Sequence, residues 1–229
     1  MKKITAIMLC LIIMISFVAC SGSPTEEEVR GEQISNEESL EESDMENSEE
    51  EFTIGKTENL VYENTFIGIG CTLESNWYFY SDEEIMELNN YTASVAGEEF
   101  EEIIKEADLI YDMYAISDNQ LDNINVNLEK MSKSSLDNLV IEEALQGSIS
   151  ILKDSYSNIG YSDIRAELDT VDIEGKEFTC LSVSGEIEGL KMYQKTFPIK
   201  CNGYLANITI TTYEENTVDS IAERFYFVK

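Results

Sequence analysis

With 229 residues, 46 of them acidic and 15 basic, the chain has a formal charge of −31 and room for one ordinary domain plus an extension. A surface this negative is repelled by phosphate backbones, and no basic stripe with interleaved aromatics offsets it, so nucleic-acid binding is excluded. The lack of any histidine removes Ser-His and Cys-His nucleophile pairs and every zinc set that needs imidazole.

Lys2 and Lys3 precede an apolar run from Ile4 to Ala19, which ends in Phe17-Val18-Ala19-Cys20. Positive, apolar and small residues in that order form a secretory signal peptide. The run is shorter than the roughly 20 residues a spanning helix needs, and an acidic rather than a positive flank follows it. The four residues ending in Cys20 resemble the lipobox of bacterial lipoproteins, with Phe17 where Leu is commoner. That resemblance implies cleavage before Cys20 and acylation of its thiol (a palmitate-type anchor), on the outer face of the cell membrane. Two or more acyl chains hold a protein there stably.

Residues 20–57 read as the lipidated cysteine and a disordered acidic tether. Between Glu26 and Glu51 there are 13 acids and one base, Arg30, with few large apolar residues to bury. A neutral chain of that length averages roughly 35 Å end to end, and its charge extends it further. From Phe52 onward 33 acids and 12 bases remain, and for these the plain role is solubility.

A single α+β domain is expected over 58–229. "VYENTFIGIGCTLESNWYFYS" mixes β-branched and aromatic residues and reads as strands joined by a turn. Ser81 with Glu84 three positions on is a capping box for a short helix. A second helical piece is expected near 98–106. "ADLIYDMYAIS" and "DNINVNLEKM" flank a turn at Asp118-Asn119-Gln120, with Ile124, Val126 and Leu128 on one side and Asn123, Asn125 and Asn127 on the other. Ser134 and Asp137 open a long helix with a stripe of Leu136, Leu139, Val140, Ala144, Gly147 and Ile151, which Gly160 stops. Four strands follow, near 164–171, 177–187, 190–199 and 204–212, turning at Glu174-Gly175, Glu188-Gly189 and Asn202-Gly203. "NTVDSIAERFYFVK" is expected to close the chain as a helix docked by Val218, Ile221 and Phe225.

The fold class is therefore an antiparallel β-sheet meander flanked by helices. Its element order resembles the PsbP/Mog-like α/β/α sandwich, carried by "IGIGCTLESNWYFYS", the helix from Leu136 to Ile159, "IEGKEF" and "GYLANITITT" with the terminal helix. The layout is similar to that of secreted lipoproteins of low-GC Gram-positive bacteria. The family includes a photosystem extrinsic subunit and a Ran-binding import factor, so the resemblance implies a fold and no activity.

Trp77, Tyr78 and Tyr80 are the candidate ligand-binding residues, an aromatic platform suited to carbohydrate or peptide; packing in the core is the competing role. Asp118, Asn119, Asp122 and Asn123 surround a hairpin end, where turn formation accounts for them without a cation. Glu142-Glu143, Glu214-Glu215 and Asp169 with Asp172 are close acid pairs of the kind a glycosidase uses, though none stands in an apolar context. No catalytic residue, metal or cofactor is implied. Cys71, Cys180 and Cys201 lack C-x-x-C spacing. With a turn at Glu188-Gly189, Cys180 sits opposite Phe197, roughly 13 Å along the strand from Cys201, so reduced, partly buried thiols are expected. The combined expectation is a membrane-anchored, non-catalytic module that binds an envelope protein or a small ligand. The alternative is a carboxylate-dependent envelope enzyme such as a glycan hydrolase.

Overall fold

The three Gly-containing turns of the C-terminal half set the register of the main sheet. A computed structural model of the protein describes residues 52–81, 83–85, 87 and 109–228. The signal segment, Cys20, most of the tether and the helix expected near 98–106 lie outside the described residues. Strands β7 (Ser162–Ile173), β8 (Lys176–Ile187), β9 (Leu190–Cys201) and β10 (Tyr204–Tyr213) form a consecutive meander, as expected. Ile173 pairs with Lys176, Ile187 with Leu190 and Cys201 with Tyr204. At the first two turns both central residues have positive φ: Glu174 +50° and Gly175 +84°, Glu188 +51° and Gly189 +86°. That is the type I′ geometry that matches strand twist.

A Cβ at Gly189 would meet nothing within 4 Å, so Gly189→Ala is penalised only by its backbone, by about 1–2 kcal/mol. Gly147, also with open space around a Cβ, lies inside a helix. Gly147→Ala is expected to stabilise by about 0.5–1 kcal/mol. Thermal melts of the two variants should move in opposite directions.

Strands β5 (Leu109–Ser117) and β6 (Asn123–Lys130) form the other hairpin, and β4 (Trp77–Phe79) adds an edge. The resulting seven-stranded antiparallel sheet has the order β4-β5-β6-β10-β9-β8-β7. One face carries Val126, Ile208, Phe197 and Cys180, all fully buried. It packs against a small second sheet and a short helix α3 (Val218–Ala222). The second sheet contains β1 (Lys56–Glu58), β2 (Val61–Asn64), β3 (Ile69–Thr72) and β11 (Phe225–Phe227), in the order β1-β2-β3-β11. The molecule is thus mixed α+β and mostly antiparallel sheet, with a strand layer on this side of the meander.

The expected C-terminal helix is corrected to five helical residues and a strand. Aromatic "FYF" pairs with β3, so Phe225 is buried as a strand residue while Val218 and Ile221 are buried on α3. The long helix is likewise divided into α1 (Lys133–Asn138) and α2 (Ile141–Asn158). Ser132 rather than Ser134 caps α1, its Oγ accepting from the Ser135 N–H at 3.1 Å. Asn138 Nδ2 donates to the Ser134 carbonyl at 2.8 Å, competing with helix continuation, and Leu139 and Val140 are extended. The break resets the helical phase. Leu145, Leu152 and Tyr156 are buried, whereas Val140 and Ile151 of the expected stripe are exposed. The Ser81–Glu84 capping box forms as expected, with the Ser81 N–H donating to Glu84 Oε2 at 2.8 Å.

A bulge between Tyr111 and Met113 turns Asp112 toward the second sheet. Its carboxylate accepts from the Gly55 N–H at 2.6 Å, from Asn64 Nδ2 at 2.8 Å and from the Tyr62 hydroxyl. Nearby, Phe52 stacks on Tyr204 with ring centroids 4.7 Å apart. Residues 52–57, assigned to the tether by composition, therefore include segments packed on the domain.

Candidate functional site

Alternation along β6 sends Ile124, Val126 and Leu128 into the core between the sheets, and Asn123, Asn125, Asn127 and Glu129 to the opposite face. That second face is not a solvent face: the three asparagines are 1%, 1% and 4% exposed. The register surrounds them with further polar groups. Asn127 lies between Tyr111 of β5 and Asn207 of β10, Asn125 between Tyr114 and Thr209, and Asn123 between Ile116 and Thr211. On β9, Thr196 and Gln194 continue the last two rows.

The half of this patch nearer α2 is fully bonded. Tyr156 of α2 donates to Gln194 Oε1 at 2.8 Å, Gln194 Nε2 donates to Thr211 Oγ1 at 2.8 Å, and the Thr196 and Thr209 hydroxyls are 3.1 Å apart. The half nearer β5 is not. Asn127 Nδ2 donates to Asn125 Oδ1 at 2.9 Å. Asn125 Nδ2, Asn127 Oδ1, Asn207 Oδ1 and the Tyr111 hydroxyl are sealed from solvent with no hydrogen-bond partner among the described residues. Buried polar groups are nearly always bonded, and each unmade bond costs about 1–3 kcal/mol. Four such atoms on three adjacent strands form a cluster that packing alone does not explain.

Two groups border the cluster. Glu129 follows Asn127 on the same face, and burial pushes its carboxyl up to about 7. On the β4 side an aromatic strip runs inward from the sheet edge. Tyr78, partly exposed, stacks on Tyr80 at 5.8 Å, and Tyr80 contacts buried Tyr114 at 4.8 Å. Tyr114 is the cross-strand neighbour of Asn125.

Of the residues singled out in the sequence, Tyr78 and Tyr80 therefore share the face of the polar cluster. Trp77 points the other way into the main core and is 6% exposed. The hairpin-end Asx residues are engaged in turn bonds: Asn119 Oδ1 accepts from the Leu121 and Asp122 N–H groups. No metal-holding group of His, Cys, Asp or Glu occurs among the described residues. Asp169 is salt-bridged to Lys195 at 2.9 Å. Partial burial raises its pKa, but the Lys195 hydrogen bond outweighs that and holds it below the usual carboxylate range. Asp172 accepts from the Gly175 N–H within its turn. Cys71, Cys180 and Cys201 are free thiols, and burial pushes each up to about 12. Asn207 heads an Asn207-Ile208-Thr209 sequon but is buried in mid-strand, which bars a glycan there.

The asparagine row and Glu129 escaped sequence reasoning. Their signal is the alternation that sets Asn123, Asn125 and Asn127 opposite Ile124, Val126 and Leu128, but alternation alone does not show that the polar side is buried.

No described helix is long and apolar enough to cross a membrane. No family model matches the chain, and no curated protein matches it by sequence. Among solved structures, it is similar to the crystal structure of LpqN from Mycobacterium tuberculosis, described as involved in cell envelope biogenesis. The identity is 13%, over 70% of this chain and 83% of that one, with a TM-score of 0.40. A likeness that slight carries no argument about fold or role.

Proposed function

We propose that the protein is a lipid-anchored extracytoplasmic binding module, fastened through acylated Cys20 and held off the bilayer by its acidic tether. Binding, rather than catalysis, is the role its domain supports best. The observation that carries this reading is the cluster of unpartnered polar atoms at Tyr111, Asn125, Asn127 and Asn207. These are groups that recognise by hydrogen bonding, and burial raises the Tyr111 phenol further above neutral pH, which keeps it protonated and a poor nucleophile. The element order, a hairpin before the helices, an antiparallel meander after them and a short terminal helix, supports the PsbP/Mog-like assignment.

One observation favours the second reading, a carboxylate-dependent hydrolase: the carboxyl of Glu129, pushed up to about 7, suits a general acid. Glycoside hydrolysis needs a second carboxyl across the scissile bond. None stands beside Glu129 in the rows formed by β5, β6, β9 and β10 among the described residues.

The anchor is tested in cells fed a radioactive fatty acid. The wild-type chain is expected to be labelled and to sediment with membranes, and Cys20→Ser is expected to lose both properties. Labelling that survives the substitution would refute the anchor. Binding is tested by cross-linking the intact, lipidated chain on cells. Cross-links that depend on Asn127 and Asn207 support the module, and a pattern unchanged by both substitutions counts against it.

A further inference from the structure

We infer that the polar cluster takes an uncharged, polyhydroxylated ligand of sugar type, bound across β5, β6 and β10 with Tyr111, Asn125, Asn127 and Asn207 as its hydrogen-bonding partners. This rests on the reading of that face as a binding site.

The unused valences define the chemistry. Asn127 Oδ1 and Asn207 Oδ1 are acceptors, Asn125 Nδ2 is a donor, and the Tyr111 hydroxyl is either. A partner must therefore offer at least two donors and one acceptor within a short span, which hydroxyl groups do. The assignment of amide N and O within the Asn125–Asn127 pair does not alter this. Whichever way the bonded pair is flipped, it presents one N–H donor and one carbonyl outward.

Spacing gives the scale. Asn127 and Asn207 face each other on neighbouring strands, so their side chains spring from points about 5 Å apart. That is close to the separation of hydroxyls on alternate carbons of a six-membered sugar ring. The Tyr78–Tyr80–Tyr114 strip adds flat apolar surface next to Asn125, suited to the C–H face of such a ring. Charge is disfavoured. No lysine or arginine lies in the Tyr111–Asn127–Asn207 or Tyr114–Asn125–Thr209 row. Lys200, nearer the sheet end, donates its Nζ to the Leu139 carbonyl. The environment that holds Glu129 near 7 penalises an unpaired ion far more than a hydroxyl. Because the four atoms are sealed, entry needs a local opening, and association is expected to be slower than the ordinary range of about 10⁵–10⁷ M⁻¹s⁻¹.

The test uses the full lipidated chain in detergent with glucose and N-acetylglucosamine as uncharged probes. Glucosamine serves as the cationic control and gluconate as the anionic one. Saturation-transfer NMR and thermal melts are the readouts. At least one uncharged sugar is expected to bind and to raise the melting temperature, and the charged controls are not. Asn127→Leu and Asn207→Leu are each expected to weaken binding about tenfold or more. Asn207→Leu should melt level or higher, because it removes an unpaired buried oxygen, whereas Asn127→Leu also takes away the donor to Asn125 Oδ1 and should melt somewhat lower. Binding of a charged control through Asn207 would leave the site standing and overturn the ligand class. Sugar binding indifferent to both substitutions would overturn the location. If no probe binds and Asn207→Leu melts lower, the row is structural, and the ligand class and the binding reading both fall.

Discussion

Asp112→Ala is expected to lower the stability of the folded chain by about 3 kcal/mol, more than any single surface change. The Asp112 carboxylate accepts three hydrogen bonds from the second sheet and the segment leading into it: Gly55 N–H, Asn64 Nδ2 and the Tyr62 hydroxyl. Bonds to an ionised acceptor are worth about 1.5–3 kcal/mol each, and those meeting at one group do not add in full. Tyr62 is completely buried. Burial first, and then the Asp112 charge, raise its pKa well above that of an ordinary phenol, so it remains a protonated donor. With alanine at 112 that donor and the Gly55 N–H lose their acceptor. Asp112→Asn keeps one carbonyl but turns an N–H group toward other donors, so an intermediate loss is expected. The single tryptophan, Trp77, is buried in the same core and reports the transition by fluorescence during a urea titration. A loss under about 1 kcal/mol would show that the two sheets are held by apolar contact alone.

Asp112 also shows where sequence reading stops. The meander was legible because its turns carry Glu-Gly and Asn-Gly pairs, in which the three glycines together with Glu174 and Glu188 take the left-handed backbone, and the pairing at Ile173–Lys176 and Ile187–Leu190 follows from them. The bulge beside Asp112 has no such marker, since neither glycine nor proline stands there. Yet the bulge lets Tyr111 and Tyr114 share one face, with Ile110, Met113 and Ala115 on the other. Strict alternation would have divided the two tyrosines. The division of the long helix at Leu139–Val140 was hidden for a similar reason. Asn138 ends α1 through its own side chain, and the apolar residues after it fit two helical phases equally well. Val218, Ile221 and Phe225 were rightly picked as docking residues although Phe225 belongs to a strand, because burial is easier to read than backbone. The asparagine row is the opposite case. Alternation located it on one face correctly, and the usual rule that amides face water then failed.

Glu129→Gln is expected to remove a pH dependence that the wild type carries. Burial raises the Glu129 carboxyl from 4.5 to about 7, so the folded state holds a proton that the unfolded chain releases earlier. Its contribution is fully present below about 4.5 and is lost as pH rises through about 7. The whole shift corresponds to roughly 3 kcal/mol. Partial solvent contact reduces the effect to about 1–2 kcal/mol between pH 5 and 8. No cation compensates from the neighbouring strand: the residue facing Glu129 on β10 is Leu205, and Lys200 beyond it is committed to the Leu139 carbonyl. Glutamine keeps the shape and the hydrogen-bonding capacity and has no charge to bury. Urea titrations at pH 5 and pH 8 should therefore show the variant gaining about 1–2 kcal/mol over the wild type at the higher pH only. Parallel profiles for the two proteins would mean that Glu129 is solvated and ionised on folding. The same titration bears on binding. Above pH 7 a carboxylate forms at the rim of the asparagine row, where it draws water and raises the cost of seating an uncharged ligand. Affinity for the sugar probes should then fall with pH in the wild type and stay level in Glu129→Gln.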